Sequence, residues 1–178
     1  MHIPRLETER LILRGLTQDD FEAIAVIYAD PGVMQFLGGT QERSDAWRSL
    51  GSHIGHWALR GYGVWGVERK SDRALLGRVG MINPEGWPGL EIGWTLGKQY
   101  WGQGYASEAA SASISYAFLT QPVGRLISCI DPDNTPSQAV ARRVGETKGE
   151  RQHLRIRGEA FPVDIWSITR EEWKKRQA

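Results

Sequence analysis

Apolar residues along this chain switch repeatedly between a period of two and a period near 3.6. In residues 6–16, Leu11 and Leu13 alternate with Arg10, Ile12 and Arg14, which predicts a first strand. Thr17, Gln18, Asp19 and Asp20 then read as a helix start, with a threonine N-cap and an acidic first turn. Phe21, Ile24, Ala25 and Tyr28 form one face of that helix, and Asp30-Pro-Gly ends it. A second helix, capped at Ser44, carries Trp47, Leu50, Ile54 and Trp57 at helical spacing. Residues 62–69 and 75–83 predict a hairpin around residues 70–73. Residues 83–89 are a loop, and residues 90–96 form the next strand.

Beyond that strand the pattern becomes helical again. A small-residue helix covers residues 107–118, and a strand covers residues 125–131. A loop leads to Pro136 in the first turn of a short helix over residues 137–144, closed by Gly145. Residues 148–156 and 161–169 predict a last hairpin around Arg157, Gly158 and Glu159, followed by a charged helical tail over 170–176. The order β-αα-βββ-α-β-α-ββ is a mixed α/β plan of about seven strands.

No Pro/Gly/Ser-rich linker divides the 178 residues, so one domain over 1–178 is expected, with a core of about 6–170. A net charge of +1 gives no general attraction to nucleic acid or to an anionic membrane. No apolar run approaches the ~20 residues of a membrane span. The first residues lack the apolar segment of a signal peptide. Cys129 is the only cysteine, which suits a reducing compartment, and no Cys/His cluster has metal-ligand spacing. A soluble, cytoplasmic protein without a metal is the expectation.

The most informative stretch is Gln99-Tyr-Trp-Gly102-Gln-Gly104-Tyr-Ala106. It joins a strand to a helix N-terminus, where unpaired N–H groups and the helix dipole favour an anion. Glycines there let the backbone approach a ligand, and a pyrophosphate is the expected anion. No Gly-Lys-Ser/Thr follows, so the turn is not a P-loop, and the third glycine of the dinucleotide fingerprint is missing.

The turn does resemble the Gln/Arg-x-x-Gly-x-Gly/Ala signature of the GNAT acetyltransferases. The opening Leu6-Glu-Thr-Glu-Arg-Leu-Ile-Leu-Arg14, the segment Glu91-Ile-Gly-Trp-Thr-Leu96 and the pair Asn134-x-x-Ser137 are similar to the RimJ/RimL-like branch, the ribosomal-protein alanine acetyltransferases and their relatives. The resemblance spans nearly the whole chain. It implies the GNAT fold, a twisted and mostly antiparallel sheet with helices on both faces and a V-shaped opening at the central strands. It implies transfer of the acetyl group of acetyl-CoA to a primary amine, by direct attack in a ternary complex. Gln99, Gly102, Gln103, Gly104, Tyr105 and Ala106 would hold the pyrophosphate. A backbone N–H near Trp94, Thr95 or Leu96 would stabilise the carbonyl oxygen, within a strand made irregular by Gly93 and Gly97. Asn134 would bond the pantetheine, and Ser137 would protonate the departing thiolate.

Alternatives stand beside several of these roles. Asn134 and Ser137 also suit plain helix capping. Glu91 is a general-base candidate or a surface-facing strand residue. The ribosomal enzymes carry a glutamate before the last strand, where Leu154 stands here, with His153 and Glu159 nearby as other bases. Cys129 is a conceivable nucleophile or a packed small residue. Arg142 and Arg143 could reach a 3′-phosphate or face solvent. The acceptor pocket is expected between the first two helices and the last hairpin, with residues 30–39 as a mobile lip. Trp47, Trp57, Trp65 and Trp87 are candidate lining residues or core. The acceptor is a small amine or a protein N-terminus, a non-catalytic acyl-CoA sensor is the competing class, and an edge strand of the last hairpin could support a homodimer.

Overall fold

The computed structural model describes residues 2–156 and 158–177, so Arg157, expected in the last turn, lies outside the described residues. Eight strands form one sheet. They are β1 (Leu6–Glu7), β2 (Leu11–Arg14), β3 (Val64–Arg69), β4 (Leu75–Ile82), β5 (Glu91–Leu96), β6 (Arg125–Ile130), β7 (Thr147–Ile156) and β8 (Glu159–Thr169). Their spatial order is β1-β2-β3-β4-β5-β6-β8-β7, so β7 is an edge strand. The eighth strand comes from the N-terminal run. The Thr8 N–H donates to the Leu11 carbonyl at 3.0 Å and its hydroxyl accepts from the Leu11 N–H at 3.1 Å, which folds residues 6–14 back on themselves.

Helices α1 (Phe21–Ala29), α2 (Pro31–Met34) and α3 (Arg43–Arg60) cover one face, over Leu16, Ile24, Tyr28, Leu50 and Val64. Helices α4 (Tyr105–Thr120), α5 (Thr135–Val144) and α6 (Arg170–Gln177) bring Ile114, Phe118, Val144 and Trp173 to the other core with Leu11, Leu13, Trp65 and Ile92. Two local expectations are corrected. Asp30 ends α1 and also starts α2, since its Oδ1 accepts from the N–H groups of Gly32 and Val33, so the lip is partly helical. Glu42, not Ser44, holds the N-cap position of α3. No helix among the described residues is long and apolar enough to cross a membrane.

Every strand pair is antiparallel except β5 with β6, and that pair holds together for a single rung, Glu91 opposite Ile127. Just below it the Ile127 N–H donates to Leu90 O at 3.0 Å. Above it the ladder passes to side chains. The Cys129 N–H donates to Glu91 Oε1 at 3.3 Å, and Ser128 Oγ donates to the Ile92 carbonyl at 2.7 Å. Meanwhile β5 keeps six unbroken rungs with β4. The irregularity anticipated at Gly93 and Gly97 is therefore a parting from β6, with no bulge in β5 itself.

A buried carboxyl braces the parting. Glu146, just past the left-handed Gly145 that closes α5, is 3% exposed, and its Oε1 lies 2.9 Å from Ser128 Oγ. One hydroxyl proton cannot serve both Ile92 and Glu146. A protonated Glu146 resolves this by donating to Ser128. Burial pushes its pKa up to about 8, Glu91 adds to the rise, and Ser128 opposes it.

The folded-state pKa lies above the unfolded value of 4.5, so the folded protein binds more protons and stability falls as pH rises from there through about 8. Glu146→Gln, whose amide can still donate to Ser128, removes that loss. Thermal unfolding at pH 5 and pH 9 checks it. The variant should gain on the wild type at the higher pH, and parallel pH profiles would contradict the assignment.

Candidate active site

Two cavities meet where β5 leaves β6. The first, of about 610 Å³, runs between the end of β5, the glycine turn and the starts of α4 and α5. Trp94, Thr95, Leu96, Gly102, Gln103, Gly104, Tyr105, Ala106, Asn134 and Ser137 all line it. Gln99 does not. It is exposed in a single turn over Lys98–Tyr100, and its carbonyl accepts from the Gln103 side chain at 3.0 Å, so it braces the turn from outside.

The glycine turn has the backbone an anion site needs. Gly102 and Gly104 sit at φ 72° and 81°, a left-handed conformation that side chains other than glycine disfavour. Gly104 is the N-cap of α4, and its carbonyl receives the first helical hydrogen bond from Glu108 N–H at 3.0 Å. The N–H groups of Tyr105, Ala106 and Ser107 therefore have no carbonyl a turn behind them. A cation stands behind the turn that sequence reasoning missed. Arg10 donates from Nη1 to the Gln103 carbonyl at 2.9 Å and from Nε to Glu108 at 2.7 Å, and its guanidinium lies 4.4 Å from the centre of the Tyr105 ring. Its partner Glu108 lies 98 residues away, so no local pattern announces it. Open backbone donors and the positive dipole fit a pyrophosphate, while Arg10, paired with Glu108, braces the turn.

At the far end of the groove the arginine pair divides. Arg143 lines the cavity, whereas Arg142 lies 5.1 Å from the Trp166 ring centre and bonds Gln138. Asn134 is a true cap, since its Oδ1 accepts from the Ser137 N–H at 3.1 Å. Ser137 Oγ does no capping. It accepts from Trp94 Nε1 at 3.2 Å, which leaves its own proton free to donate.

Backbone directions follow from the ladder. The Gly97 N–H donates to Leu76 on the β4 side, whereas the Ile92 carbonyl meets Ser128 of β6. By the two-residue period the backbone groups of Thr95 face β4, and those of Trp94 and Leu96 face the parting. The Leu96 carbonyl there already accepts from Trp101 Nε1 at 2.8 Å.

The second cavity, of about 470 Å³, lies between α1, α3, residues 36–41, the central strands and the β7–β8 hairpin. Phe36, Leu37, Trp94, Thr95, Asn134 and Ser137 line both cavities. Glu91 faces the second. It is buried, its carboxylate accepts from Trp87 Nε1 and the Cys129 N–H, and burial raises its pKa above the ordinary value against those two donors. It is not the surface-facing residue that sequence also allowed. Leu154 and the exposed Glu159 line the cavity, but the exposed His153, next to Leu154 on β7, is not part of the wall. Cys129 lines the cavity with its thiol pushed far up by burial and by Glu91, which leaves it protonated and a poor nucleophile. Of the four tryptophans, Trp87 lines the cavity, Trp57 and Trp65 are core, and Trp47 is 49% exposed against Phe21. Tyr28, whose spacing marks it as part of the apolar face of α1, also lines it, as do His53 and Arg78, which no spacing marks.

The acetyltransferase (GNAT) domain family matches residues 10–147. The uncharacterized N-acetyltransferase YoaA of Bacillus subtilis is 30% identical over 175 residues, covering 94% of this chain and 97% of its own length. A solved acetyltransferase from Agrobacterium tumefaciens shares the fold with a TM-score of 0.83 at 30% identity, over 96% of each chain. RimL, a ribosomal L7/L12 α-N-protein acetyltransferase solved with coenzyme A, shares it with a TM-score of 0.75 at 19% identity, over 93% of this chain and 98% of its own. With the left-handed glycine turn and the parted central strands, these likenesses identify the chain: it belongs to the GNAT acetyltransferase family, is RimJ/RimL-like in build, and transfers the acetyl group of acetyl-CoA to an amine.

Proposed function

We propose that the acceptor is a small-molecule amine, acetylated by direct attack within a ternary complex at the parting of β5 and β6. The observation that carries this reading is the shared wall. Trp94, Thr95, Asn134 and Ser137 border both cavities, so a ligand in the glycine-turn groove and one in the second cavity meet there. A cavity of about 470 Å³ suits a small molecule, within the ~300–1,000 Å³ usual for such sites. RimL's named ribosomal substrate supports a peptide N-terminus as the second reading. A cytoplasmic setting, as the cysteine usage suggests, is part of the proposal.

Bound acetyl-CoA supplies an acetyl group already activated as a thioester. The unpaired edge of β5 would hold the pantetheine arm as an added strand, with Asn134 beside it. The N–H groups of Trp94 and Leu96, which face the parting, would stabilise negative charge on the carbonyl oxygen. Ser137, with its oxygen already accepting from Trp94, would donate a hydrogen bond that stabilises the departing thiolate, which takes its proton from solvent. Glu91, fixed by Trp87 and Cys129, would take the proton of the amine directly or through water. Its raised pKa makes it a better base than an exposed carboxylate.

Two variants test these roles. Ser137→Ala should lower kcat about 10- to 100-fold while the dissociation constant for acetyl-CoA, measured by titration calorimetry, moves by less than about threefold. An unchanged kcat would remove Ser137 from the mechanism. The active form of Glu91 is the carboxylate, so kcat/KM should fall as pH drops through a pKa above the ordinary carboxylate range. Glu91→Gln should cost about 100-fold or more and abolish that acid limb. An identical acid limb in the variant would assign the base elsewhere.

A further inference from the structure

One arginine in the acceptor cavity forms no ion pair with the described residues, although its charge reaches Glu91 on the same wall. Arg78 is the only Arg or Lys among the described residues lining it. It is half-buried, and Nε donates to the Tyr28 hydroxyl at 2.7 Å. The Nη groups make no hydrogen bond to the described residues, and no carboxylate among them lies within 4.0 Å. Tyr28 is 2% exposed, and its hydroxyl lies 2.9 Å from His53 Nε2. The Tyr28 hydroxyl thus accepts from Arg78 and shares a hydrogen bond with His53 Nε2, whose direction follows the His53 tautomer, and the ring is neutral. Burial first, and the charge of Arg78 after it, hold His53 in that state by lowering its pKa well below the usual value. The relay aims the guanidinium without neutralising it.

The same sheet row shows how this fold treats an arginine that serves only structure. Arg14, Gly66, Arg78 and Thr95 stand opposite one another across β2, β3, β4 and β5, and so on one face. The Arg14 guanidinium is fully engaged, with Nη1 and Nη2 on Asp20 at 2.9 and 2.8 Å and Nε on Glu68 at 2.7 Å. Arg78, two strands along, keeps its fork open toward a cavity walled by Phe36, Ile82, Trp87, Leu154, Phe161 and Val163. A cation in such surroundings is costly until an anion pairs with it, and a guanidinium fork matches a planar carboxylate.

We infer that the acceptor amine carries a carboxylate that seats on Arg78, together with an apolar body against the aromatic walls. This rests on the small-molecule reading above. Arg78 and Thr95 share a rung on one face of the sheet, and Thr95 borders both cavities, so the carboxylate seat stands on the wall that leads to the reacting centre, which suits a compact amino acid. A carboxylate fits better than a phosphate. The other ionisable groups on the wall are Glu91, Cys129, Asp131 and Glu159, along with Tyr28 and neutral His53, and none offers a second positive charge. Asp131 is engaged with the Asp133 N–H, and Glu159 is exposed.

The test compares kcat/KM for matched acceptors, namely phenylalanine and leucine, their carboxamides, and the phosphonate analogue of phenylalanine, with acetyl-CoA saturating. The wild type should prefer the acids over the amides by about 10- to 100-fold, and over the phosphonate. In Arg78→Met the ratio of acid to amide should fall to about one, and Arg78→Lys should recover part of it. Tyr28→Phe, which keeps the packing, should lower the ratio through KM with less effect on kcat. Thermal stabilisation by each acceptor is read in parallel, with folding of every variant judged by its own unfolding transition. Preference for the amides, a phosphonate better than its acid, an acid preference intact in Arg78→Met, or no acid bound or acetylated while acetyl-CoA still stabilises the protein would each overturn the inference alone. Loss of acetyl-CoA stabilisation in the wild type would instead strike the acetyltransferase reading itself.

Discussion

One missing hydrogen-bond ladder organises this protein. β5 and β6 are parallel neighbours that share a single rung and then part, and both cavities open from that parting. Leaving backbone groups unpaired inside a sheet is expensive, so the chain closes the lower end with side chains. Glu91 takes the N–H of Cys129, Ser128 takes the carbonyl of Ile92, and a protonated Glu146 completes the set. The remaining edge of β5 faces a groove, where a ligand can act as the missing strand.

That constraint separates what the sequence made legible from what it hid. Elements with strong local signals were legible. The glycine turn, the small-residue helix after it, Pro136 and Gly145 around α5, and both β-hairpins lie where periodicity and turn chemistry place them. The alternation at Leu11 and Leu13 predicts one continuous N-terminal strand. The break is made by Thr8 bonding to Leu11, a polar turn with neither glycine nor proline. The parting itself has no local signature in Gly93 or Gly97, because it depends on where β6 runs after a helix and a turn.

The site divides along the same line. Residues 94–96 and 100–106 and the Asn134–Ser137 pair line the groove, whereas Gln99 braces the turn from outside. The residues missed are those assembled across the sheet or between layers. Arg10 reaches the turn from β2, Arg78 meets Tyr28 from α1 and His53 from α3, and Ser128 meets Glu146 across the end of α5. None of these pairings is a motif, since each joins residues at least 18 positions apart. Where two roles competed in sequence, geometry assigned them. Asn134 caps while Ser137 is free to donate, and Arg143 lines the groove while Arg142 packs on Trp166.

The central claim is that coenzyme A lies in the groove with its reactive end at the shared wall of the two cavities. A crystal structure of the protein with coenzyme A tests it most directly. The account predicts the pyrophosphate on the N–H groups that follow Gly102, the pantetheine along the free edge of β5, and the sulfur within hydrogen-bonding reach of Ser137 Oγ. A molecule bound away from the glycine turn, or a sulfur directed away from Ser137 and the second cavity, would contradict it.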